Sequence, residues 1–312
     1  MKKFKVGIDY GGTKIEGILL NENGDQIERK RYSYEKNYVS GIETVKKLVN
    51  EFDQISGQIC TVGFGIPGFS SKDTGLVTNA NSLWLNDKPF KADLENALNR
   101  EVRLMNDANC FALSESIDGA GEKFKSIFGI IIGTGFGGAL SYKKEIIEGA
   151  NQIAGDWGHQ PLPYPTDDEI KTEIKCPSLN CGRALCAEQF MSGVGFANIF
   201  NKKNNTNFNS HEIVELDKNG DQRANQELSL YENRMARLMS VMIGIFDPEA
   251  IILGGGMSNI ERLYENLPNL IPKYTFSNQV KTKILKNFHG DSSGVRGAAW
   301  LWNKDYDNCY DE

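Results

Sequence analysis

An internal echo constrains the fold of this chain more than any other feature. Phe4, Val6 and Ile8 alternate toward Asp9, Gly11 and Gly12 break the run, and Ile15 to Leu20 resumes it. Roughly 120 residues further on, Ile127 to Ile132 is apolar, Gly133 to Gly138 is glycine-rich, and Ala139 to Tyr142 is extended before a turn at Lys143 and Lys144 leads into Glu145 to Ile147. Apolar runs bounded by glycines read as strand, tight turn, strand. Two such copies predict a duplicated α/β domain whose glycine turns face one another across a ligand cleft.

The intervening segments complete each copy. Gln26 to Tyr34 is a polar strand suited to a sheet edge. Val39, Ile42, Val45, Leu48, Val49 and Phe52 fall on one helical face. Strand Gln58 to Gly65, helix Lys91 to Leu98, strand Val102 to Met105 and helix Ala108 to Ile117 follow. The second half predicts helix Glu188 to Phe200, a long amphipathic helix from Asn225 to Phe246, strand Ala250 to Leu253, helix Asn259 to Leu270, strand Lys283 to Phe288 and a closing helix from Val295 to Trp302. Stretches 66–90, 157–187 and 201–210 show no period, and loops of such length in compact domains are commonly functional or mobile.

Composition narrows the partners. The net charge of −6 comes without a long block of one sign, which argues against a nucleic-acid footprint and for small solutes. The start offers no apolar export segment, and no run of 18 apolar residues predicts a membrane span. Three of the six cysteines crowd between residues 176 and 186, as metal ligands in a reducing compartment do, so a cytoplasmic protein is expected.

Three glycine clusters invite an anion. In Gly7 to Lys14, adjacent Gly11 and Gly12 let backbone approach a phosphate, Thr13 adds a hydroxyl, Lys14 a cation, and Asp9 a carboxylate placed to orient magnesium. Gly133, Thr134 and Gly135 repeat that logic, and Gly254, Gly255 and Gly256 follow an apolar strand, where glycines let a nucleotide lie against backbone. Each cluster taken singly is equally a turn that needs glycine. None forms the G-x-x-x-x-G-K-[ST] loop. Asp107, in Asn106-Asp-Ala-Asn109, ends a strand and opens a helix; it serves there either as a helix cap or as a carboxylate that accepts a proton from an attacking hydroxyl. His159, Cys176, Cys181 and Cys186 lie in one connected stretch and form either a closed Cys3His zinc site or a set of reduced thiols in a loop.

Taken in order, Asp9 to Lys14, Gly65-Ile-Pro-Gly68, Asn106 to Asn109, Gly133-Thr-Gly135, Gly155-Asp-Trp-Gly-His159, the cysteine cluster with Glu188, and Gly254 to Gly256 resemble the ROK family over nearly the whole chain. Thr78 to Leu85, with Asn81, and His289 to Trp302 look most like its bacterial fructokinases that also accept mannose. The resemblance implies an actin-like ATPase (ribonuclease H-like) α/β fold and a homodimer. It implies domains at 1–119, with a C-terminal helix at about 295–312 packing back on the first, and 120–294, carrying the zinc loop and part of the ATP site.

It also implies an ATP-dependent hexose kinase making fructose 6-phosphate, with glucose or an N-acetylhexosamine as alternative substrates. A sugar-responsive regulator of transcription is the reading from another class; with the first glycine turn at residue 7, no DNA-binding module is expected ahead of it. Asp107 matches the general base; Asn81, Asn106, Asp156, His159 and Glu188 match sugar ligands, with His159 also a ligand of structural zinc, and magnesium accompanies ATP. Two departures stand out. Asp156 replaces the usual Glu, and the usual C-x-C-G-x-x-G-C becomes Cys176 five residues before Cys181, with Leu185 at the second glycine.

Overall fold

The computed structural model describes residues 4–178, 181–277 and 279–303. The chain folds as two compact units, one of Met1–Glu122, Lys144–Gln152 and Asp291–Glu312, the other of Lys123–Lys143 and Ile153–Gly290.

The first half runs β1 (Lys5–Tyr10), β2 (Lys14–Leu20), β3 (Gln26–Ser33), α1 (Tyr38–Ser56), β4 (Thr61–Ile66), the small hairpin β5 (Phe69–Ser70) and β6 (Val77–Thr78), α2 (Phe90–Leu98), β7 (Val102–Asn106) and α3 (Asp107–Ile117). Its main sheet has the order β3-β2-β1-β4-β7, antiparallel in the opening hairpins and parallel from β1 onward. The polar β3 is the edge, as its sequence predicts. Helix α1 starts on Asn37, whose side chain accepts the Ser40 N–H, and stops at Gly57 in a left-handed conformation. It buries Val45, Leu48, Val49 and Phe52 against the sheet's core.

The second half runs β8 (Ser126–Ile132), β9 (Phe136–Tyr142), β10 (Glu145–Ile146), α4 (Asp167–Ile170), α5 (Ala187–Met191), α6 (Gly193–Asn204), α7 (Ser210–Lys218), α8 (Gln222–Phe246), β11 (Ala250–Gly254), α9 (Arg262–Leu270), β12 (Lys283–Lys286) and α10 (Ser293–Trp300). Its sheet order, β10-β9-β8-β11-β12, repeats the first, with an antiparallel hairpin β8–β9 and parallel β8–β11 and β11–β12 pairs. The duplicated α/β architecture expected from the echo is therefore present, strand for strand. No helix among the described residues is long and apolar enough to cross a membrane.

Two glycines show why α10 belongs with the first sheet. A Cβ on Gly7 of β1 would stand 2.0 Å from the Val295 carbonyl, and one on Gly63 of β4 would stand 2.0 Å from that of Ala298. Backbone meets backbone there, and any larger residue would hold the helix off. Arg103 donates to the Leu301 carbonyl (2.6 Å) and the Trp302 indole to that of Val62 (2.7 Å), so the chain stays tied down past the helix. The expected continuation through 304–312 lies outside the described residues.

Besides the β5–β6 hairpin and α4, which lie in stretches without a period, two further elements depart from the sequence pattern. The single helix expected over Glu188 to Phe200 is broken at Ser192, which is extended (ψ 154°) and caps α6 by accepting the Gly195 N–H. Helix α7 has too few apolar positions for a period to show, yet a reciprocal capping box between Asn209 and Glu212 starts it.

Candidate active site

The first group of functional side chains sits at the C-terminal ends of β1 and β7. Beyond β1 the chain turns through Gly11, Gly12 and Thr13, closed by Gly11 N–H on the Lys14 carbonyl at 3.1 Å. Gly12, Thr13 and Lys14 are exposed. The Tyr34 hydroxyl donates to the Gly11 carbonyl (3.0 Å), a brace for which the sequence carries no signal. A Cβ on Gly12 would lie 3.2 Å from Ser82 Oγ, so the turn is seated on the segment that carries the exposed Asn81.

Asp9, just before this turn, pairs in register with Glu16 across the hairpin. Glu16 is buried and bonded by Arg29 and Arg31. Desolvation is the main reason the Asp9 carboxyl is pushed from 3.8 up to about 7; Asp107 and Glu16 add to it by like charge, and Arg31 opposes it. Two other carboxylates thus act on Asp9. A cation relieves that repulsion, and oxygen ligands of this kind suit magnesium.

Asp107 is the exposed first residue of α3. The residue before it is held on two sides: Asn106 Nδ2 donates to the Gly68 carbonyl (3.0 Å) and its Oδ1 accepts the Ala108 N–H (2.9 Å). Asp107 Oδ1 also accepts the Ala108 N–H, at 2.8 Å. Asn106 is therefore the cap, and Asp107 presents its carboxylate at the mouth of the helix. The helix-cap reading of Asp107 thus passes to Asn106.

The second group belongs to the other unit. The turn Gly133 to Gly135 closes by Gly133 N–H on the Gly135 carbonyl (3.0 Å), with Thr134 exposed. Gly193 N–H donates to the Gly133 carbonyl (2.8 Å), and Phe136 N–H donates to Glu188 Oε2 (3.1 Å). Gly255 follows β11 at φ +80°, where a Cβ would stand 2.5 Å from the Ile132 carbonyl; Gly255 and Gly256 are both exposed.

His159, Cys176, Cys181 and Cys186 converge with one donor atom each, all within 4.8 Å of one another. Cys186 Sγ lies 3.4 Å from Cys176 Sγ and 3.5 Å from His159 Nδ1. A tetrahedron with bonds of about 2.0 to 2.3 Å has edges of about 3.3 to 3.8 Å, so the two spacings to Cys186 match a four-coordinate ion with no open position, and the rest, within 4.8 Å, would close by at most about 1 Å. Burial pushes the Cys176 and Cys186 thiols up, and a bound cation is what would hold them as thiolates at neutral pH. Cys176 joins the cluster despite its altered spacing. Glu188 is buried beside it, with Oε1 3.7 Å from Cys176 Sγ. Asp156 is exposed, in a turn that its own N–H closes on the Ile153 carbonyl (3.1 Å).

Sequence reasoning overlooks the Gly193 and Tyr34 contacts and the aromatic floor under the second turn. There Trp157 stacks on Phe136 at 5.1 Å between ring centroids and meets Phe128 edge-on at 4.7 Å.

The ROK family model matches residues 5–305. The chain belongs to the ROK family. It is 36% identical over 296 residues to N-acetyl-D-glucosamine kinase of Vibrio cholerae serotype O1, covering 95% of this chain and 98% of that one. It is 37% identical over 298 residues to N-acetyl-D-glucosamine kinase of Haemophilus influenzae, again with 95% and 98% covered. Among solved structures it resembles a ROK hexokinase from Thermus thermophilus, with a TM-score of 0.82 at 24% identity and 95% and 96% of the two chains covered. That likeness speaks for the fold alone.

Proposed function

We propose that this ROK family sugar kinase transfers the terminal phosphoryl group of ATP to a hydroxyl, expected at C6, of N-acetyl-D-glucosamine. The observation that carries the substrate is the pair of relatives of that name, each aligned over nearly the whole of both chains. Fructose, favoured by the short motifs at Thr78 to Leu85 and His289 to Trp302, gives way to the N-acetylhexosamine alternative because those motifs cover little of the chain. The same relatives favour a kinase over a sugar-responsive regulator.

Asp107 is the general base in this reading: its exposed carboxylate takes the proton of the attacking hydroxyl. Asn106, fixed by the Gly68 carbonyl, His159, Glu188 and, by position, Asn81 and Asp156 hold and orient the sugar. The backbone amides at Gly11, Gly12, Gly133 and Gly135, with Thr13, Lys14 and Thr134, cradle the phosphates; Gly255 and Gly256 accommodate the nucleoside. Asp9 is the group that would hold magnesium, which neutralises phosphate charge as the phosphoryl group moves. His159, Cys176, Cys181 and Cys186 would hold zinc as a structural ion. The family resemblance adds a homodimer, which light scattering at about twice 34.8 kDa would support.

The test is ADP release with ATP and magnesium across N-acetylglucosamine, N-acetylmannosamine, glucose, mannose and fructose. The highest kcat/KM is expected for N-acetylglucosamine. A preference for fructose or glucose of tenfold or more would overturn the substrate and leave the kinase chemistry standing.

A further inference from the structure

We infer that the metal centre also sets the conformation of the second phosphate turn, with Glu188 as the positioning residue that links them. The inference rests on the reading of Gly133 to Gly135 as a phosphate-binding turn.

The link runs within one unit through backbone hydrogen bonds and the Glu188 carboxylate; the two contacts that the Cys176 and Cys186 thiols donate belong to the metal-free state, because a thiolate has no proton to give. Cys186 ends the ligand set and is the residue before α5; Glu188 follows in the first turn of that helix. The two oxygens of its carboxylate face opposite ways, Oε2 accepting the Phe136 N–H at 3.1 Å and Oε1 lying 3.7 Å from Cys176 Sγ. Gly135 leaves just enough room, since a Cβ there would stand 3.2 Å from Oε2. Gly158, next to the ligand His159, takes the Glu188 N–H (2.7 Å) and the Cys186 thiol (3.2 Å) on its carbonyl. It also presses on the turn so closely that a Cβ on it would lie 1.9 Å from the Phe136 carbonyl. Beyond α5, Gly193 N–H reaches the Gly133 carbonyl at 2.8 Å. The turn is thus gripped at both ends by residues 186–193.

A five-residue helix does not hold itself together in water. The Ala187 and Glu188 N–H groups hold the start of α5 on the Gln160 and Gly158 carbonyls (2.8 and 2.7 Å), which flank the ligand His159, and coordination of His159 and Cys186 would lock those two segments together. Without the ion, three packed thiols and an imidazole hold the segment less firmly, α5 shifts or frays, and Glu188 loosens on Phe136. The amides of Gly133 to Gly135 then lose their preorganisation toward phosphate, and nucleotide affinity falls. Couplings between sites typically amount to about 5- to 150-fold, and they act in both directions, so bound nucleotide should also tighten zinc binding by the same factor.

The test titrates a non-hydrolysable ATP analogue with magnesium into zinc-loaded and zinc-stripped protein, with circular dichroism to follow the fold and hydrogen exchange to follow residues 133–138. Stripping is expected to weaken the analogue about fivefold or more and to raise exchange at Phe136. In zinc-loaded Glu188→Ala, which keeps all four metal ligands and so guards against a stripped protein that unfolds, Phe136 should exchange fast. The remaining effect of zinc on affinity should fall below about twofold. Equal affinity with and without zinc, or full zinc dependence in Glu188→Ala, would overturn the link. If zinc-loaded protein bound no analogue, the phosphate reading would fail, and exchange would still decide: Phe136 protection unchanged by stripping or by Glu188→Ala refutes the link, and protection lost in both supports it.

Discussion

Asp9 should titrate about three units above an ordinary aspartate, and Asp107 should be part of the reason. A carboxyl moved from 3.8 to about 7 carries a penalty of about 4 kcal/mol on its ionised form in the folded protein, taking about 1.4 kcal/mol per unit. The folded-state value is raised, so the folded protein binds the proton more tightly than the unfolded chain. Stability contributed by this group is therefore present at low pH and is lost as pH rises from about 4 to about 7. Burial is the first cause and Asp107 the second, so Asp107→Asn should lower the Asp9 midpoint while leaving it above that of an ordinary aspartate. Carboxyl carbon resonances followed by NMR from pH 4 to 9 read this directly, with Asp9 assigned by the signal missing from Asp9→Asn. A wild-type midpoint below 5, or one that Asp107→Asn leaves unmoved, would refute the electrostatic account. Magnesium with nucleotide should pull the midpoint down, and calorimetry at pH 7 in buffers of different ionisation enthalpy should register the release of about half a proton, since a group with a midpoint of about 7 is half protonated there.

Three further outcomes follow from single contacts. Asp107→Asn should lower kcat by about 10² to 10⁴ while sugar affinity, measured by calorimetry, changes little; near-normal turnover would remove Asp107 from the base position. Protein purified without chelators should hold about one zinc per chain by mass spectrometry, and Cys181→Ser, which removes one of the four ligands, should lose it at chelator concentrations the wild type withstands. Gly7→Ala should cost about 3 kcal/mol in urea unfolding, because the Val295 carbonyl and Ala299 amide that crowd the new methyl are backbone and can yield only if α10 moves.

The duplicated hairpins and the sheet edges are legible because period-two runs and glycine breaks are local. Gly11, Gly12, Gly133 and Gly135 are legible for the same reason. Ser192, Gly193 and Gly195 are poor helix-interior residues and mark the split locally, but the apolar residues on either side hide it; Ser192 caps α6 through the Gly195 N–H, and Gly193 N–H bonds the Gly133 carbonyl. Asp9's raised pKa depends first on burial and then on Asp107 and Glu16, opposed by Arg31, groups spread as far as 98 positions along the chain, and no pattern within one strand reports it. The short motifs and the whole-chain relatives point to different sugars because a pocket's preference rests on a few contacts, whereas identity over the whole chain averages across many.

The cysteine loop shows how a departure in sequence can leave a conformation intact. Where the ROK pattern has two glycines, this chain has Gly182 at φ +57° and Leu185 at φ +56°, so both positions are left-handed and only one has the residue that tolerates it freely. A leucine there costs about 1 to 2 kcal/mol in backbone strain. Its side chain recovers part of this by packing half-buried against the core of its unit, and its carbonyl accepts the Leu162 N–H at 2.7 Å, pinning the strained residue beside Cys186. Leu185→Gly removes the strain and the packing together, so stability should change by less than about 1 kcal/mol. Leu185→Val keeps an apolar side chain but puts a branched Cβ at positive φ, and should cost about 2 kcal/mol and loosen zinc. The more conservative substitution should therefore be the more damaging one, read by thermal unfolding and zinc retention. If Val were tolerated better than Gly, side-chain packing and not backbone geometry would hold this loop in place.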